Sequence, residues 1–195
     1  MTKLRNDLIE GLTLAVPLMI VACLAACSSK PHHTTPIVQY YLNSGDPTQG
    51  VLEAAAHELS VMTMNIGHGR GSGFHQLTES STEIFSNMDD IVTLLNKKSP
   101  DIVAFQEIDA PSFWSGDFNH VDYVGERGMF RSSIRASHVE MMGLSYGTAL
   151  LSRFELSNPL AVTFDPPLTT VPTGFILSTV SLPGRAGFDI DVVSA

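Results

Sequence analysis

Apolar positions from Glu58 onward follow two periods in turn. In "LSVMTMNI" (residues 59–66), Leu59, Val61 and Thr63 alternate with Ser60, Met62 and Met64, which predicts a strand with both faces partly covered. A glycine-rich loop, "GHGRGSG", follows. Ile84, Met88, Ile91 and Leu95 then recur at helical spacing. Ser80 and Glu83 form a capping-box pattern at the start, and Lys97-Lys98 precede a stop at Ser99-Pro100. The next segment, "DIVAFQEID", is an apolar strand that ends on Gln106-Glu107. Strand, helix and apolar strand in succession predict a covered sheet in a layered α/β protein.

After Asp109 the periodicity weakens. Residues 110–130 read as loop with helix around Val121 to Phe130. "YGTALLSRFEL" reads as a strand with a turn, and "GFILSTVSL", "PGRAG" and "FDIDVVSA" as a hairpin. No internal repeat is visible. The chain stops at Ala195 inside an apolar strand, so the domain is expected to be C-terminally incomplete.

The N-terminal segment has a different pattern. Lys3 and Arg5 precede a 16-residue apolar stretch, "GLTLAVPLMIVACLAA", which contains Pro17. That is short of the roughly 20 residues a spanning helix needs and reads as a secretory signal core. It ends on Leu24-Ala25-Ala26-Cys27 before Ser28, which resembles the bacterial lipobox with Cys27 as the lipidated residue. The expected organisation is a signal peptide over 1–26, a lipidated cysteine and flexible tether over 27–57, and a domain over 58–195. "SSKPHHTTP" and "NSGDPTQG" carry the tether composition, with "IVQYYL" as a short apolar interlude. His32 and His33 are expected to be solvated. The expected location is the cell envelope, in the outer membrane if the organism has one. Only two cysteines occur, Cys23 and Cys27, so the mature chain is expected to lack a disulfide despite export.

The formal net charge of −9 weighs against a long nucleic-acid track, which would need a basic stripe. It leaves room for attack on a single phosphate, because a metal can supply the local positive charge.

Polar residues stand at two strand ends, Asn65 after "SVMTM" and Glu107 after "IVAFQ". Strand ends joined by one helix meet at one rim of a sheet, where ligands commonly bind. A carboxylate and an amide oxygen there could begin a site for a hard divalent cation. The alternative is structural, with Asn65 capping the loop and Glu107 solvated or paired with an arginine. Arg70 in the glycine-rich loop could contact a phosphate. His57, His75, His120 and His138 have no paired spacing that suggests zinc and read as surface or polar-satisfied residues.

"MTMNIGHGRG", the helix, "SPDIVAFQEID" and "YGTALLSR" together resemble the endonuclease/exonuclease/phosphatase family over roughly Leu59 to Ala195. The resemblance implies a layered α/β sandwich of that family's type, represented by its N-terminal part. It also implies a divalent-metal-dependent phosphoester hydrolase (phosphodiesterase, phosphatase or nuclease) using in-line attack of water on phosphorus. By position Glu107 matches the family's Mg²⁺-binding glutamate, with Mn²⁺ or Ca²⁺ as alternative ions, and Asn65 matches the active-site asparagine beside it. Tyr146 stands one residue out of frame from a phosphate-contacting tyrosine. Gly67 and His68 occupy places where nuclease members often carry an acidic residue. Gly116-Asp117-Phe118-Asn119 spells the family's later catalytic motif but sits in the wrong context. The genuine later motifs, including a Ser-Asp-His, are absent from the sequence.

The expected substrate is therefore a small or lipid phosphoester rather than long nucleic acid. The expected membrane contact is the anchor at Cys27, and no protein partner is expected. The competing readings are a non-catalytic surface lipoprotein and an inactive truncated fragment.

Overall fold

The computed structural model describes residues 31–41, 58–74, 78–166, 170–182 and 189–195. The segment expected to be a signal peptide, Cys27, His57, His75 and "PGRAG", the expected turn of the hairpin, lie outside them. Strands β1 (Pro31–Thr34), β2 (Ile37–Tyr40) and β3 (Val61–Asn65) are followed by helix α1 (Ser81–Lys98) and strand β4 (Ile102–Asp109). Then come α2 (His120–Arg127), β5 (Ser132–Met141), β6 (Leu144–Ser152), β7 (Leu156–Phe164), β8 (Thr173–Ser181) and β9 (Asp189–Ser194).

Helix α1 has the ends its sequence encodes. The Ser80 hydroxyl accepts from the Glu83 backbone N–H at 3.3 Å, and Glu83 Oε2 accepts from the Ser80 N–H at 2.8 Å. At the other end Ser99 turns left-handed (φ 48°) and donates its N–H to the Leu95 carbonyl before Pro100. Ile84, Met88, Val92 and Leu95 are buried. Val92 takes the place the spacing gave to Ile91, which is only half-buried.

A five-stranded sheet runs β2-β5-β6-β4-β3 and a four-stranded sheet runs β1-β7-β8-β9. Among the described residues only the β3–β4 pair is parallel, as expected for strands joined through a helix. Strand β4 is buried on both faces. Val103 and Phe105 pack with Ile84, Met88 and Leu95 of α1 and with Val121 and Val124 of α2. Ile102 and Ala104 pack on the other face with Ala161, Ile176 and Val180 of the second sheet. This layered α/β arrangement bears out the predicted fold class, and β8 and β9 form the predicted antiparallel pair.

Two corrections concern strands. Residues 31–41, assigned by composition to a flexible tether, belong to the fold. Strand β1 pairs antiparallel with β7, and β2 with β5. The Tyr41 side chain is buried with its hydroxyl 2.8 Å from Ser133 Oγ. Strand β1 is "PHHT", an exposed edge strand made by pairing rather than by apolar content, so its sequence gives no hydrophobic signal. His32 is exposed, as expected, and its Nδ1 lies 3.3 Å from Asp165 Oδ1. Strands β5 and β7 also lie where the sequence reading assigned no element.

Candidate functional site

Strands β3 and β4 end side by side, with Asn65 in register with Gln106. In a regular strand, residues on one face are separated by even numbers. Phe105 and Ile108 are three apart and share the helix-side core, because the β4–β6 register shifts between Gln106 and Ile108. Glu107 is the extra residue of this bulge, held left-handed at φ 50°. A non-glycine residue in that conformation costs on the order of 1 kcal/mol. Freed from the ladder, Glu107 stands at the rim with its side chain 43% exposed.

Asn65 fixes one carboxylate oxygen. Its Nδ2 donates to Glu107 Oε1 at 2.9 Å, and its Oδ1 accepts from the Gly67 N–H at 3.0 Å. The two predicted residues are thus brought together. The Asn65 side-chain oxygen is engaged by the backbone, and its amide N–H is engaged by the carboxylate. Through this contact Asn65 orients Glu107.

A short 3-10 turn over Gly67–Gly69 follows and places His68, at φ 62°, against the same carboxylate. Its Nε2 lies 3.6 Å from Glu107 Oε2, too long for a hydrogen bond. Its Nδ1–H donates to Asp109 Oδ1 at 2.8 Å. Asp109 is fully buried, and its second oxygen accepts from Trp114 Nε1–H at 2.8 Å. The His68 ring sits between Trp114 (centroids 5.0 Å apart) and Tyr146 (4.6 Å, edge-on). The turn needs glycine at position 69. Its φ is +76°, and an added Cβ would stand 3.1 Å from both His120 Cε1 and Ile84 Cγ2.

Tyr146 pairs with Asp109 across β6 and β4, which brings this out-of-frame candidate into the site. Burial, then the charges of Asp109 and Glu107, push its phenol above the ordinary range. Arg70 ends the 3-10 turn, and its Nε lies 3.2 Å from where a Cβ on Gly67 would be. Asn119 is the N-cap of α2 and accepts from the Val121 and Asp122 N–H groups. "GDFN" is therefore a helix entry, in keeping with its reading as a coincidence of spelling. His120 and His138 are both buried. His120 Nε2 meets the Ser115 carbonyl at 2.9 Å, and His138 spans Thr163 and Thr148 at 2.8 and 3.0 Å.

Sequence reasoning missed His68, Asp109 and Trp114. One signal was available: Asp109 is a carboxylate at the end of an apolar strand and needs a buried partner, and the only tryptophan lies five residues on.

Residues 62–188 match the model of the endonuclease/exonuclease/phosphatase family. The chain belongs to this family. Among solved structures it is similar to an endonuclease/exonuclease/phosphatase from Beutenbergia cavernae DSM 12333, at 18% identity and a TM-score of 0.51. That match covers 70% of this chain and 37% of that one, and it shows the fold. An endonuclease/exonuclease/phosphatase family protein from Leptotrichia buccalis C-1013-b matches at 17% identity and a TM-score of 0.49, covering 71% of this chain and 54% of that one. The chain thus spans just over a third of the first of these structures and about half of the second. A comparison with curated proteins gives no match.

The family is generally dependent on a divalent metal, and the donors present fit such an ion. Glu107 Oε1 is taken by Asn65, which leaves Oε2 at a partly exposed rim. Among the described residues no group of three or more His, Cys, Asp or Glu is arranged to hold a metal. Few protein ligands suit a hard cation that keeps several waters and completes its shell with substrate phosphate.

Proposed function

We propose that this chain carries the metal-anchoring part of an exported, lipid-anchored, divalent-metal-dependent phosphoester hydrolase. The observation that carries the reading is the Asn65–Glu107 contact at the β4 bulge. A carboxylate released from a strand ladder and oriented by an amide has no packing purpose there. Glu107 would hold Mg²⁺, or Mn²⁺ or Ca²⁺ in its place, and such an ion would supply charge neutralisation at phosphorus and at the leaving oxygen.

The chain's own residues do the rest. Asn65 holds Oε1, so the carboxylate need not be ordered again at each turnover. Arg70, beside Gly67, and Tyr146, on the far side of His68, flank the rim and are the groups assigned to the substrate phosphate. The net charge of −9 favours a small or lipid phosphoester over a long polyanion. The lipobox-like segment ending at Cys27 supports placement at a membrane surface.

The test is hydrolysis of bis-p-nitrophenyl phosphate with Mg²⁺ by the intact parent protein that would carry the later motifs. Glu107→Gln is expected to lose at least about 100-fold with an unchanged circular dichroism spectrum. A variant with full activity would remove the assignment. Metal binding without hydrolysis by the unmodified parent would favour a ligand-binding surface lipoprotein. For the anchor, Cys27→Ser is expected to leave the membrane fraction, and unchanged fractionation would refute lipidation.

A further inference from the structure

We propose that His68 Nε2 is a second metal-facing donor beside Glu107, held in place by Asp109, and that the site therefore favours a first-row transition ion such as Mn²⁺ over Mg²⁺. This rests on the reading of Glu107 as a metal anchor and adds a nitrogen ligand to it.

The tautomer comes first. Both oxygens of Asp109 are engaged, one by the Trp114 indole N–H and the other by His68 Nδ1, each at 2.8 Å. A carboxylate accepts, so Nδ1 carries a proton, and the tautomer with that single ring proton has its lone pair on Nε2. That lone pair faces Glu107 Oε2, another acceptor, at 3.6 Å. A cation between the two acceptors would satisfy both. Two ligands at about 2.1 Å from one ion, subtending about 90–120°, stand about 3.0–3.6 Å apart. The observed separation falls within that range.

The ring is also locked. His68 is 7% exposed, lies between two aromatic rings, and is fixed by a left-handed backbone that only a well-supported turn retains. Metal-bound histidines are commonly oriented in this way, with the remote ring N–H given to a carboxylate. An imidazole added to carboxylate and water ligands shifts preference away from Mg²⁺, which prefers oxygen, toward transition ions.

The experiment is Mn²⁺ titration of the full chain followed by electron paramagnetic resonance. Pulsed spectra of the bound ion read nitrogen coupling directly, with no need for activity. The expected result is an imidazole nitrogen coupling that changes with ¹⁵N-histidine labelling and vanishes in His68→Gln. The affinity should fall about 10- to 100-fold in His68→Gln and about 10-fold in Asp109→Asn. Bound Mn²⁺ that depends on Glu107 but lacks nitrogen coupling would overturn the inference and leave the Glu107 reading standing. That outcome includes a proton on Nε2 in place of the ion. Mn²⁺ binding unchanged in Glu107→Gln would overturn the Glu107 reading itself. No Mn²⁺ binding would overturn both. The spectrum of the unmodified chain decides the coupling even if His68→Gln fails to fold.

Discussion

Phe105 and Ile108 lie three residues apart in one strand, yet they face the same core. The extra residue between them is Glu107, whose backbone is left-handed. This local cost lets a carboxylate leave the ladder while the strand goes on packing. Replacing Glu107 with glycine should therefore give a more stable protein than replacing it with alanine, by about 1 kcal/mol, against the usual order in strands. Urea denaturation of the two variants measures it. Equal stability, or a more stable alanine variant, would mean that position 107 stores no strain.

Tyr41 tests whether residues 31–41 belong to the fold. Its ring is buried against α2, where a Cβ on Gly125 would overlap it, and its hydroxyl meets Ser133. Tyr41→Ala should cost about 3–5 kcal/mol, and Gly125→Ala about 1–3 kcal/mol. A tether residue would cost nothing measurable, so an unchanged melting temperature in Tyr41→Ala would return this segment to the tether.

The start of α1 has a two-way cap between Ser80 and Glu83. Ser80→Ala should lower stability by about 1 kcal/mol. Amide exchange should show the loss first in the opening turn of α1, and a global loss with that turn still protected would contradict local capping.

His138 sets a pH dependence. Burial, reinforced by the nearby His32, holds its imidazole down at about 4, against 6.5 for an exposed ring. Burial pushes His120 in the same direction. A depressed folded-state value means that the unfolded chain takes up the proton first as pH falls. Stability is thus intact above about pH 6.5 and is lost as pH falls toward 4. From His138 alone the expected loss between pH 7 and pH 5 is about 2 kcal/mol. His138→Gln should flatten that slope in denaturation curves taken at both pH values, and an identical slope would show that His138 is not its source.

Much of this was legible in the sequence where the signal is local. The limits of α1 follow from Ser80, Glu83 and the Ser99-Pro100 stop, all within hydrogen-bonding reach of the helix they bound. The apolar run of β4 and its polar end required only adjacent residues, and with Asn65 and "YGTALLSR" they carried the family resemblance that the family match bears out. Strands β1 and β2 were not legible. Each has four residues and depends on partners about a hundred or more positions away.

The sequence by itself determined that a carboxylate and an amide end two strands joined by a helix, because strand alternation and helix caps are short-range properties. It determined the family for the same reason. Only the tertiary structure decided how those groups meet. The bulge at Glu107 arises from register with β6, and the closure of Asn65 on Glu107 from the parallel pairing of β3 with β4. The role of His68 depends on Asp109, 41 residues away, and on Trp114 beyond it. A side chain in a glycine-rich loop looks solvated until the fold buries it. Once buried, its ring nitrogens need partners, and that requirement places His68 in the site.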